Sequence, residues 1–235
     1  MLTDGLFDPT VEASMMAAGY VRDYSDIMST SAVHPVTGPI PAPTPQGVVV
    51  DKSVGAVCLP EGVSLDLGGI GKGAAADIVA ELLIDSGVSG CIVNLGGDMR
   101  ILGEPPTPGG WPVRLECPGS DTEIMIEVHS GAVCTTTKSK RVWDTTLGAE
   151  HHLRSPSSGR SADMGLVSVS VVGARALQCE VLTKAAYLTG KDHAAALLAS
   201  HQATGVLVQD GGEVEMLEGL ESFISKDTLG RHSVV

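Results

Sequence analysis

The stretch Leu65-Asp66-Leu67-Gly68-Gly69-Ile70-Gly71-Lys72-Gly73-Ala74-Ala75-Ala76-Asp77 decides how the chain is read. Alternating apolar residues over 63–67 predict a strand. Four glycines within six residues follow, and then a helical pattern in which Ala75, Ile78, Val79, Leu82 and Leu83 recur at a 3.6-residue period. Gly87 stands where a C-terminal glycine would end that helix. Glycines let backbone N–H groups approach an anion, and a helix N-terminus adds about half a unit of positive charge. Lys72 brings a full charge to the same place, so a phosphate fits. A glycine-rich turn with an incidental lysine is the plainer reading of this segment taken alone.

Two familiar nucleotide loops are excluded. A P-loop needs Gly five residues before its Gly-Lys and a hydroxyl residue after it; here those positions hold Asp66 and Gly73. The dinucleotide fingerprint fails as well, because the spacing from Gly69 is G-x-G-x-G.

Outward from this segment, strands are predicted at 91–95 and 99–102 around Gly96-Gly97, and then at 113–115, 124–128 and 167–172. Helices at about 175–189 and 191–201 and a last hairpin follow. Before it, an N-terminal helix within 5–35 starts at Asp8-Pro9-Thr10. A five-proline crossing at 34–47 leads to a hairpin of 48–51 with 56–59. The sum is one α+β domain over 1–235, with mixed or antiparallel sheets and packed helices. Leu82-Leu83 followed by Gly90 through Asp98 echoes Leu197-Leu198 followed by Gly205 through Glu213 at identical offsets. Two related halves and the generic look of a helix feeding a hairpin both explain the echo.

Composition narrows the function. Lys plus Arg number 15 against 28 acids, a net charge of -13, which argues against nucleic acid or an anionic membrane as a general partner. Hydrophobic residues make up 43% and charged residues 18%, too apolar for a disordered chain. The five cysteines form no C-x-x-C pair, so reduced thiols are expected rather than a disulfide framework or structural zinc. No apolar run is long enough to span a bilayer. With no signal-peptide pattern after Met1, the chain as written is expected in the cytoplasm, and outside it if a leader precedes this start.

Several motifs follow one another in order: Phe7-Asp8-Pro9-Thr10-Val11, the glycine segment, Asn94-Leu95-Gly96-Gly97-Asp98, and Gly131-Ala132-Val133-Cys134-Thr135-Thr136-Thr137. His151-His152-Leu153-Arg154-Ser155-Pro156-Ser157-Ser158-Gly159 and Glu180-Val181-Leu182-Thr183-Lys184-Ala185 complete the series. Together they resemble the FAD:protein FMN transferase family (the ApbE type) over residues 6–190. The resemblance implies an α+β flavin-transferase domain that moves the FMN part of FAD to a Thr hydroxyl of a target flavoprotein and releases AMP with Mg²⁺ assistance. It implies FAD contacts from Gly68, Gly69, Ile70, Gly71, Lys72, Asp98, Thr135 and Thr136. His152 would accept the proton, as an imidazole that titrates near working pH. The Gly71 carbonyl and the positions of Glu180 and Lys184 correspond to metal ligands. Asp66 and Asp77 flank the loop, and for Asp77 a capping or surface role is expected.

The chain departs from the family pattern where the late Asp and Thr become Glu180 and Lys184. An ammonium has no lone pair for a metal. Either Lys184 replaces part of the metal's charge, or the site is weakened. Ser155 replaces the family's Asp, Ala74 its aromatic residue, and Thr137 its Gly. A binding module that holds FAD without transfer, and a hydrolase that cuts FAD to FMN and AMP, are the alternatives.

Overall fold

The computed structural model describes residues 2–29 and 36–225; the expected crossing therefore begins, at His34-Pro35, outside the described residues. A 3-10 turn (Pro9–Val11) leads into α1 (Glu12–Ala17), α2 (Tyr24–Ser29), β1 (Val49–Asp51) and β2 (Ala56–Cys58). Next come α3 (Gly71–Asp85), β3 (Gly90–Leu95), β4 (Asp98–Gly103), β5 (Trp111–Leu115), β6 (Ile124–Val128) and β7 (Gly131–Thr137). The chain continues through β8 (Val142–Thr145), β9 (Gly148–His151), β10 (Leu166–Gly173), α4 (Ala176–Thr189) and α5 (Lys191–Ser200). The described residues end on β11 (Thr204–Gln209), β12 (Val214–Met216) and a 3-10 turn (Leu220–Phe223). Two compact units form: Met1–Leu67 with Lys138–Asp163, and Gly68–Thr137 with Met164–Val235.

In the first unit, Asp8 caps the 3-10 turn by accepting the Thr10 N–H at 2.8 Å. Met15, Ala18, Ile27 and Trp143 form a small core. The Trp143 indole N–H donates to the Ala18 carbonyl at 2.7 Å, and the ring lies 5.1 Å from Tyr20. Strands β1 and β2 pair antiparallel as expected. The strand expected at 63–67 does not form, because the segment joins no ladder. Its Asp66 N–H instead donates to the Pro9 carbonyl at 2.7 Å, leaving an extended connection. The β8–β9 hairpin was not anticipated.

The second unit is built on a six-stranded antiparallel sheet in the order β12-β11-β10-β7-β4-β3. Side chains alternate across it. One face (Ile101, Val133, Val172, Val206, Val208) packs on the β5–β6 hairpin through Val113, Leu115, Ile124, Ile126 and Val128. Burying each such side chain is worth roughly 1.5–3 kcal/mol. The opposite face meets α3 and α4. The echoed segments become α3–β3–β4 at one end of the sheet and α5–β11–β12 at the other.

Helix α3 ends as its sequence predicts. Gly87, at φ +92°, donates to the Ile84 carbonyl at 2.9 Å and Val88 to that of Leu83 at 3.1 Å, the pairing of a glycine-terminated helix. Its periodic apolar stripe, however, is not the packed face. Ile78 and Leu82 are 58% and 59% exposed, whereas Gly73, Ala76, Asp77 and Ala80 are buried. Small residues face inward because α4 comes so close that a Cβ on Gly73 would collide with the Ala176 carbonyl and sit 2.8 Å from the Leu177 nitrogen. Gly73 thus permits helix packing as well as a turn.

Candidate functional site

Neither α3 nor α4 caps its own N-terminus. Ile70 and Arg175, at the two cap positions, make no capping hydrogen bond. Each helix instead caps the other. Glu180, one turn into α4, accepts the Gly73 N–H on Oε2 at 2.8 Å. Asp77, in the second turn of α3, accepts the Ala176 N–H at 2.9 Å and the Leu177 N–H at 3.1 Å. One orphan donor of α3 and two of α4 are thereby satisfied in trans. Asp77 is therefore a cap, as expected, but a buried one, and Arg100 of β4 completes it at 3.0 Å.

Around the Glu180 cap lies a second set of charges. Lys72, the second residue of α3, reaches the Asp98 carboxylate and also Glu180 Oε1 at 3.0 Å. Asp98 follows the Gly96-Gly97 turn, whose φ values of +67° and +102° suit a two-residue hairpin that only glycine adopts readily. From α4, Lys184 Nζ lies 3.4 Å from Glu180 Oε1 and donates to the Glu180 carbonyl at 3.2 Å. Glu180 is completely buried and Asp98 nearly so, while the Lys72 side chain keeps 40% of its surface open. Burial works against the charge of Lys72, yet Asp98 and Glu180 outweigh it and hold its pKa above the ordinary lysine value. For Lys184 burial wins over Glu180 and Asp98, and its pKa falls below that value.

Lys72, Asp98, Glu180 and Lys184 are thus brought together, with Gly71 and the Gly68-Gly69-Ile70 turn at the head of α3. The two threonines separate. In the β7–β10 register Thr136 has the parity of Cys134, whose thiol donates to the Ala176 carbonyl of α4. Thr135 points to the opposite face and shares a 2.8 Å hydrogen bond with Ser170. His152 belongs to the first unit, just after β9 and half-buried. Asp66 also lies in the first unit. Beside His152, Arg154 ties its segment down through Ser14 and Glu150, each at 2.8 Å.

The donors needed for Mg²⁺ do not fit a metal here. Glu180 Oε2 is held by a helix N–H, and Oε1 faces two ammonium groups. Asp98 is paired with Lys72, and Lys184 offers no lone pair. The Ile70 carbonyl opens the hydrogen-bond ladder of α3 by accepting the Ala74 N–H at 3.1 Å, and the Gly71 carbonyl, one residue further in, belongs to that ladder. A hard dication wants six oxygen ligands in near-ideal geometry, and here it would meet two cations instead.

A signal for the reciprocal caps was present in the sequence. Two helix starts with Ile70 and Arg175 at their cap positions require acceptors from elsewhere, and buried carboxylates on a neighbouring helix can supply them.

The class is now defined: an α+β domain of helix-covered antiparallel sheet with a lysine-centred cluster at a helix start. The model of the ApbE family matches residues 1–216, and the chain belongs to that family. The FAD:protein FMN transferase of Klebsiella pneumoniae (strain 342) is 31% identical over 66% of this chain and 48% of its own length. That of Vibrio cholerae serotype O1 is 25% identical over 96% of this chain and 69% of its own. The crystal structure of the ApbE protein from Thermotoga maritima superposes with a TM-score of 0.78 at 27% identity, covering 96% of this chain and 74% of that one. The chain therefore spans about half the length of the Klebsiella relative.

Proposed function

We propose that this chain transfers the FMN part of FAD to a threonine hydroxyl of a target flavoprotein and releases AMP. The observation that carries the reading is an ApbE-family sequence whose glycine turn sets a half-open Lys72 at the start of α3. The hydroxyl oxygen attacks the FMN-side phosphorus and forms a phosphodiester. The bond from that phosphorus to the bridging oxygen breaks, AMP keeps the oxygen, and the hydroxyl proton is released. Such a transfer needs little covalent help from the protein; it needs phosphate charge neutralised and the attacking and leaving oxygens held in line. Lys72 and the α3 N-terminus supply positive potential for the diphosphate. His152 is assigned the proton, as the histidine of the family-like motif. Thr136 is assigned to the FAD side by the face it shares with the cluster, which leaves Thr135 a sheet-supporting role. No step runs through a divalent ion, since the donor set does not fit one.

Incubation with FAD and a target domain carrying an acceptor threonine tests this. Intact-mass spectrometry is expected to show an FMN adduct on the target and none after the acceptor Thr is changed to Val. Free FMN and AMP without an adduct would make the chain a hydrolase, and bound, unaltered FAD would make it a binding module.

A further inference from the structure

We propose that Lys184 takes the place of the divalent cation, so that this chain binds and cleaves FAD without a metal. The inference rests on the FAD reading above and concerns the same site. In the family pattern the residue at this position ligates a metal, and here it is an ammonium-bearing side chain. Lys184 is not directed into solvent: its side chain is 14% exposed and it contacts Glu180 twice, at 3.2 and 3.4 Å. The same Glu180 oxygen also faces Lys72 at 3.0 Å. Two cations, one from each helix, therefore converge on a single carboxylate oxygen at the head of α3.

The carboxylates match this arrangement. Glu180 is one methylene longer than the family's Asp, and its second oxygen is used up on the Gly73 N–H. A metal-ligating carboxylate would keep lone pairs available, but these are engaged by an N–H group and two ammonium groups. Lys72 and Lys184 balance Asp98 and Glu180, two charges against two. Were Lys184 a neutral residue and no metal present, the cluster would carry a net negative charge and repel a diphosphate. Lysine at this position removes that repulsion, and the N-terminal dipole of α3 adds to the attraction. The charge is fixed to the chain, so it needs no ion from solution. The bonds made and broken are those of the proposed transfer; only the source of the neutralising charge differs.

The test is FAD binding, followed by flavin fluorescence in excess EDTA and in millimolar Mg²⁺. The wild-type dissociation constant is expected to agree within twofold between the two conditions. Lys184→Met is expected to weaken binding tenfold or more in EDTA, and Lys184→Thr to bind more tightly when Mg²⁺ is added. Removing Lys184 leaves Glu180 paired with Lys72 and Gly73, so these variants should fold, and circular dichroism checks that they do. The wild-type comparison needs no variant. Wild-type binding that falls more than tenfold in EDTA and returns with Mg²⁺ would overturn the metal-free reading while leaving the FAD reading intact. Unchanged affinity in folded Lys184→Met would also overturn it. No FAD binding in either condition would overturn the FAD reading itself, and this inference with it.

Discussion

Helices α3 and α4 exchange carboxylate caps, and the two exchanged groups have opposite surroundings. Asp77 accepts two backbone N–H groups and faces Arg100, whose own guanidinium donates to the Gly131 carbonyl at 2.7 Å. Every strong partner there is fixed and buried. Glu180 accepts one N–H group and faces two lysines, one of them half-open. Arginine's planar fork suits a permanent buried pair, whereas a lysine ammonium can turn toward an incoming ligand. The same device, a carboxylate on a neighbouring helix, thus serves stability at one place and, in the proposed function, a ligand site at the other.

The sharpest way to break this comparison is Asp77→Ala. It orphans the α4 N-terminus and leaves Arg100, 8% exposed, without its counter-charge. Breaking a buried pair from one side costs about 3–5 kcal/mol. Urea denaturation of the full chain is expected to show a loss of that size. A loss below about 1 kcal/mol would mean that Asp77 is not the structural cap described here.

Much of this architecture could be read from the residues, and its limits have physical causes. The strands of the large sheet follow from β-branched runs such as Val167 through Val172, and the end of α3 follows from Gly87. The inward face of α3 was not legible. Periodicity reveals that an apolar stripe exists, but which stripe meets the sheet depends on how closely α4 approaches, and that is set by Gly73. The strand expected at 63–67 failed for a related reason. Alternation describes an extended segment without guaranteeing a partner ladder. Thr135 and Thr136 could not be told apart until the β7 register was known, since neighbours on a strand face opposite ways. Lys72 is legible from the glycine segment itself, and Asp98, Glu180 and Lys184 from motif order. Their convergence is not, because 108 residues separate Lys72 from Glu180.

The second prediction sharpens the functional side. Lys72→Met keeps the aliphatic stem and removes the charge. Asp98 loses its partner, while Glu180 keeps Lys184 and the Gly73 N–H. FAD affinity is expected to fall about tenfold, about 1.4 kcal/mol. Stability should also fall, because Asp98, 2% exposed, is left without its ammonium, but by less than in Asp77→Ala, since no helix N–H group is orphaned. Fluorescence titration and urea melts on the same sample separate the two effects. A stability loss equal to that of Asp77→Ala would erase the distinction between the clusters.

The smallest expected effect tests where the Asp77 network stops. Arg175 lies 3.6 Å from Asp77 and 2.9 Å from Glu81, but its side chain is 57% exposed. Water competes for both contacts, salt screens them, and holding a long side chain in place costs rotamer freedom. Arg175→Ala should therefore cost no more than about 0.5 kcal/mol, and the difference should vanish in high salt. Arg100, by contrast, has little access to solvent and cannot exchange its partner for water. A salt-insensitive loss above about 1 kcal/mol in Arg175→Ala would make Arg175 part of the buried cap. The boundary between fixed and exchangeable charge would then lie outside α3 and α4 rather than between Asp77 and Glu180.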